Sequence, residues 1–250
     1  QSSSGHTWVS WGELGLEVYS PSGAKLGFWE DLEFPIREII EYDGLVLFAT
    51  EDGVERFNET TFSWESTWTP GNGLPNNAGD WVGELWTDGQ HLLVGTATFA
   101  WWGGFQRGVI GHLDGSTGAW STVETGQNGI PNGYPMSMSQ CGSYVYIGLL
   151  NNNGGIVSID LNCSSVVGSF TTSVLSNGRV AAVACDSVAT LYVGYDEDDQ
   201  GISKYDTVAG LWLPKLTAAA NNLPCLLYTS DAADEGLVVD LCGRRIIKKK

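Results

Sequence analysis

Residues 177–212 read NGRVAAVACDSVATLYVGYDEDDQGISKYDTVAGLW. This stretch spells four short strands. Residues 179–184 are small and apolar, which suits a buried inner strand. Cys185, Asp186 and Ser187 make a turn. Leu191, Tyr192, Val193 and Gly194 form a second strand, rich in the residues that fill pleated surfaces. Residues 196–200 are too acidic to bury and read as a loop. Residues 201–206, GISKYD, alternate apolar and polar, the mark of a half-buried strand. Residues 207–210 turn the chain, and Leu211, Trp212 and Leu213 begin a fourth, outer strand.

The same pattern recurs upstream. The glycine that opens the third strand returns as Gly15, Gly53, Gly108, Gly155 and Gly201, at intervals of 38, 55, 47 and 46 residues. The second strand returns as LVLFAT from Leu45, HLLVGT from His91, YVYIGL from Tyr144 and LYVGY from Leu191. A linker returns as GNGLPNN from Gly71, GQNGIPNG from Gly126 and NNLP from Asn221, with EFP from Glu33 a weaker copy. Four-stranded units at this period mark an all-β fold, a β-propeller of four-stranded antiparallel blades. One unit cannot bury both faces of its sheet, so neighbours must pack on it.

The expected units are 1–35 (partial), 36–75, 76–131, 132–176 and 177–224. That is four complete blades plus three strands. The first blade lacks an inner strand. We therefore expect an incomplete arc, a fragment of a larger ring, of metagenomic origin. Residues 225–250 break the pattern. They resemble the translation of a transposase adapter used in sequencing libraries, an artefact rather than native protein. A basic tail for nucleic acid or membrane is the competing reading.

Composition narrows the function. The chain has a net charge of −17, 33 Gly and 11 Trp. So acidic a chain lacks the surface that neutralises phosphates, which argues against nucleic acid as a partner. No apolar run is long enough for a membrane helix, so no membrane insertion is expected. Outside the tail the cysteines are Cys141, Cys163 and Cys185. Cys141 and Cys185 fall at equivalent first turns of adjacent blades, and Cys163 at a third-to-fourth turn. One disulfide and isolated thiols both remain open.

The order LP-N-x-V, a D/G turn, L-x-V-G-T and then G-[GIV]-x-x-[YFL]-[DN] resembles the two-component-regulator propeller repeat. It runs from Leu74, Pro75 and Asn76 to Gly108, and again over 177–206, and the resemblance covers 36–224. It implies an extracellular, periplasmic or cell-surface sensor propeller fused to other modules. The motif is structural, so it transfers a fold and not a ligand.

Binding residues are expected on the face where second-to-third-strand loops emerge, since rigid scaffolds carry function on loops. Blade two offers Glu51 and Asp52 there. The insertion ATFAWWGGFQR offers Phe99, Trp101, Trp102 and Phe105, and blade four offers Asn151, Asn152 and Asn153. Flat rings beside amides suit a glycan or a protein ligand. The plainer reading is a hairpin folded onto its own blade. Asp196, Asp198 and Asp199 could hold Ca²⁺, which takes several oxygens at once. A solvated charge run is the simpler account. No GxSxG, HExxH or CxxC occurs. His91 and His112 read as sheet residues. No catalytic residue and no cofactor is expected, so the chain reads as a non-enzymatic binding module. An enzymatic propeller of quinoprotein or hydrolase type, with its catalytic blades elsewhere, is one alternative. A structural spacer in a large surface protein is the other.

Overall fold

The computed structural model of the chain describes residues 2–11, 15–29, 35–99, 104–161, 165–175, 177–196 and 201–217. Residues 225–250, read above as adapter-derived, lie outside the described residues, and so does Cys163. The fold is all-β, a succession of antiparallel sheets that form an arc of propeller blades.

Blade one holds β1 (Thr7–Ser10), β2 (Leu16–Tyr19) and β3 (Lys25–Trp29). Blade two holds β4 (Glu38–Tyr42), β5 (Leu45–Thr50), β6 (Gly53–Asn58) and β7 (Ser63–Trp64). A linker follows, with β8 (Thr69–Pro70) pairing in parallel with β9 (Gly73–Leu74). Blade three holds β10 (Trp81–Thr87), β11 (His91–Phe99), β12 (Phe105–Asp114) and β13 (Ala119–Glu124). Blade four holds β14 (Tyr134–Cys141), β15 (Tyr144–Leu150), β16 (Gly155–Asp160) and β17 (Ser165–Phe170). Blade five holds β18 (Val180–Cys185), β19 (Thr190–Tyr195), β20 (Ile202–Asp206) and β21 (Leu211–Leu216). Sequential strands pair within each blade.

Burial follows the strand's place in the blade. Second strands are packed on both faces and read as nearly continuous apolar runs, as in β5 and β15. Outer strands cover one face only, so β17 alternates exposed and half-buried residues. The outermost position also tolerates Pro214 inside β21, because an edge strand can spare an N–H. The fourth strand of blade two is only two residues long. It pairs over β7, and Trp68 returns to bridge Val54.

The recurring glycine has a steric cause. At Gly53 and Gly155 the backbone is left-handed (φ 128° and 156°), and a Cβ would sit 2.2 Å from the Trp68 carbonyl oxygen and 2.1 Å from that of Phe170. The third strand can start there only where no side chain stands between it and the end of the fourth strand.

Apolar clusters fill the blade junctions. Leu16, Val46, Phe48 and Phe57 join blades one and two, with Trp8 and Trp29 against them. Leu47, Ala49, Val82, Leu92 and Val94 join two and three. Leu93, Met138, Val145 and Ile147 join three and four. Tyr146, Ile156, Val183, Leu191 and Val193 join four and five. Linker residues plug these junctions. Leu74 is buried in the second cluster and Leu175 in the fourth, and Ile130 packs on the third.

The last two blades are also tied covalently. Cys141 and Cys185, at the ends of adjacent inner strands, form a disulfide with a Cα–Cα distance of 5.5 Å. Of the two readings left open by the sequence, the structure has the bond for this pair.

Candidate functional site

The sequence places Phe99 and Phe105 on a loop. In the structure they are strand residues. The β11–β12 ladder extends outward as far as Phe99, which pairs with Phe105 across a register shift. Both rings then pack on the inner strands. Phe99 lies 5.6 Å from Trp81 and 5.6 Å from Tyr134, centroid to centroid, and Phe105 lies 5.5 Å from Tyr134. Trp81 and Tyr134 meet edge to face at 5.4 Å. All four rings are half-buried, so they form a partly open apolar rim across blades three and four. Trp101 and Trp102 lie outside the described residues.

Two ion pairs flank the rim in sequence order. Arg37 stands just ahead of β4. Its Nη2 is 2.7 Å from Glu51 Oε1, and its guanidinium lies 4.6 Å from the Trp81 ring centre. Arg179 stands just ahead of β18 and pairs with Asp196. Blades three and four carry aromatic residues at the start of the inner strand, where blades two and five have an arginine alongside. Burial raises the Tyr134 hydroxyl above the usual tyrosine range, so it stays a neutral donor.

Asp196 is therefore engaged by a guanidinium, whereas the sequence offers it as a Ca²⁺ ligand. Asp198 and Asp199 lie outside the described residues. Among the described residues no group of three or more His, Cys, Asp or Glu side chains is placed to hold a metal ion. Asn151, Asn152 and Asn153 form the blade-four turn next to Leu150, the partner of Tyr134. Asn151 Oδ1 accepts the Asn152 N–H at 2.8 Å, and the Asn153 carbonyl accepts the Asn132 N–H at 3.0 Å. Their visible contacts shape the turn, and the Asn152 and Asn153 side chains face solvent.

His91 and His112 lie on β11 and β12, as the sequence suggests. Nδ1 of His91 is 3.0 Å from Nε2 of His112. Burial first, and then the neighbouring imidazole, lowers the His112 pKa. One ring donates to the other.

Sequence reasoning missed an acid pair. Glu84 in β10 is raised to about 8, by burial first and then by the Glu38 carboxylate of blade two. Glu38 is itself raised by burial. Glu84 Oε1 accepts the Met138 N–H of blade four at 3.2 Å. The signal in the sequence was a lone acid inside the otherwise apolar run WVGELW. Trp81, Tyr134 and Arg37 were missed because they read simply as the starts of inner strands.

No family model matches the chain, and no curated protein matches it in sequence. Solved structures do match in fold. The extracellular domain of a hybrid two-component system candidate from B. thetaiotaomicron aligns with a TM-score of 0.63 at 18% identity, over 85% of this chain and 28% of that one. The computationally designed Ika8 protein gives 0.59 at 13%, over 86% and 60%. A chain of the mitotic checkpoint complex gives 0.63 at 11%, over 87% and 64%. The fold is shared. The chain spans less than two thirds of each of these proteins. Among the described residues no helix is long and apolar enough to cross a membrane.

Proposed function

We propose that the chain is the non-enzymatic binding part of an extracellular sensor or adhesion propeller, and that the rim formed by Trp81, Phe99, Phe105 and Tyr134 takes a glycan or protein ligand. The observation that carries this reading is the rim itself. Half-buried aromatic rings contributed by two blades offer flat apolar area at little entropic cost, and the Arg37–Glu51 pair supplies polar groups at its border. Two further facts support the compartment. The Cys141–Cys185 bond belongs to oxidising surroundings, and one fold neighbour is an extracellular two-component domain.

The test is a glycan array, with a panel of immobilised extracellular proteins, probed with the full chain and followed by calorimetry on any hit. Trp81→Ala and Phe105→Ala are expected to weaken binding tenfold or more with melting shifted by a few degrees at most. Binding unchanged in both variants would remove the rim as the site. No ligand across both panels would favour the spacer reading.

A further inference from the structure

Four blades repeat the same trailing face, the sheet surface turned toward the next blade. Its second-strand positions are Leu47 and Ala49 in blade two, Leu93 and Gly95 in three, Tyr146 and Gly148 in four, and Tyr192 and Gly194 in five, matched by strand register. In the first three blades these residues are buried. The small residue is a socket. A Cβ on Gly95 would lie 2.6 Å from Pro135 Cβ of blade four, and one on Gly148 would lie 2.8 Å from Val180 Cγ1 of blade five. An apolar residue near the start of the next inner strand fills each.

Hydrogen bonds repeat with the same register. The residue opposite the socket on the inner strand reaches the next blade's backbone. Glu84 accepts the Met138 N–H at 3.2 Å, and Ser137 Oγ accepts the Val183 N–H at 3.1 Å. Two residues on, Ser139 Oγ accepts the Cys185 N–H at 3.0 Å.

Blade five keeps the socket, and among the described residues none of another blade fills it. Among the described residues a Cβ on Gly194 would meet Ala182 of its own sheet alone, at 3.6 Å and beyond. Tyr192 and Gly194 are half-buried, and Ala182 and Ala184 are exposed, where their counterparts Ser137 and Ser139 are half-buried. Leu213, on the same face across Lys204, is exposed as well.

We propose that the trailing face of blade five is a docking face for one further four-stranded blade of this repeat, with an apolar inner-strand residue seated on Gly194. Three junctions of the same chain show what occupies this face when it is covered. A second copy's blade one is a poorer fit. Its free flank is centred on Glu17, which accepts from Trp11 Nε1 at 2.9 Å, Tyr19 Oη at 2.5 Å and Lys25 Nζ at 2.5 Å. Val9 and the exposed Phe28 ring pair with Glu17 on the same face, so that flank is mixed and centred on a bound carboxylate, unlike the apolar Pro135 and Val180 that fill the sockets of blades three and four.

The inference is independent of the ligand reading. Its first test compares two substitutions in the full chain. Gly148→Trp is expected to lower melting by ten degrees or more, because Val180 already fills that socket. Gly194→Trp is expected to shift it by two degrees or less. Equal losses would mean Gly194 is already packed and would overturn the proposal. The second test inserts another copy of residues 132–176 after Leu216. Hydrogen exchange at Ala182, Ala184, Tyr192 and Gly194 should slow tenfold or more, and Gly194→Trp should abolish that protection. An inserted blade that protects none of these amides counts against the proposal. Light scattering of the unmodified chain should give a monomer. A dimer dissolved by Gly194→Trp would assign the face to self-association instead.

Discussion

The junction between blades three and four and the junction between four and five share a geometry and differ in chemistry. In both, a side chain on the earlier inner strand accepts an N–H from the later one, next to a glycine socket. At the first junction the acceptor is the Glu84 carboxyl. At the second it is a pair of serine hydroxyls, with a disulfide at the far end of the same strands. A carboxyl titrates and a hydroxyl does not. A disulfide responds to reductant and a carboxyl does not. The same fold device should therefore fail under different conditions at the two places, and each failure can be measured separately.

The largest effect is expected at the covalent junction. The Cys141–Cys185 bond closes a loop across 44 positions of sequence. In the chain-entropy account such a closure stabilises by about 4 kcal/mol, chiefly by restricting the unfolded chain. Replacing both cysteines with serine should lower chemical-denaturation stability by roughly 2–4 kcal/mol. The loss should be the same at pH 6 and pH 9, since no titrating group is removed. A loss that grows with pH would mean the disulfide is coupled to Glu84, and the two junctions would no longer be independent.

Next is the acid. Glu84 in the folded chain titrates near 8, well above the ordinary carboxylate range. The raised value means the folded state holds its proton more tightly than the unfolded state. Its contribution to stability is fully present below about pH 4.5 and is lost as pH rises through 8. A tenfold difference in proton affinity between the two states is worth about 1.4 kcal/mol, and Glu38 shares the same proton balance. A loss of about 3 kcal/mol between pH 5 and pH 9 is therefore expected. Glu84→Gln keeps an acceptor for the Met138 N–H and removes the titration. It should flatten the alkaline loss and leave the response to reductant unchanged. A variant that loses stability on alkalinisation as steeply as the parent would place the titrating group elsewhere.

The two junctions also differ in how far the sequence reveals them. The blades themselves were legible. Strand two buries both faces and must be apolar throughout, and a Cβ on the glycine opening strand three would lie 2.1–2.2 Å from a carbonyl oxygen in two of its copies, so both features recur from blade to blade. These are constraints on single positions, and a repeat displays them. Pairings across blades are constraints on two positions far apart, and no local pattern encodes the distance. Cys141 and Cys185 stood at matching turns, yet equivalence of place is not proximity of sulfurs. Glu84 looked like any strand acid, because its partner Glu38 lies one repeat away. The rim was half legible. Phe99 and Phe105 drew notice as aromatics, but their place on strands follows from a ladder that continues past the point where the repeat's loop was expected. Trp81, Tyr134 and Arg37 gave no signal, since the residue at the start of an inner strand changes from blade to blade and no repeat marks it.

The smallest effect is the sharpest for the comparison. Ser139 Oγ accepts the Cys185 N–H at 3.0 Å, immediately beside the disulfide. Ser139→Ala removes a hydroxyl acceptor and leaves a half-buried N–H without it, at a cost of about 1 kcal/mol. If the disulfide alone holds the ends of β14 and β18 together, the hydroxyl adds nothing while the bond is intact. The loss would then be seen in the double-serine cysteine background alone. If hydrogen bond and disulfide act independently, the loss should be the same in both backgrounds, within about 0.5 kcal/mol. We expect independence. A contact of the same kind at the preceding junction, Glu84 to Met138, two positions earlier along the strand, forms without any covalent tie beside it, so the register of the inner strands suffices to make it.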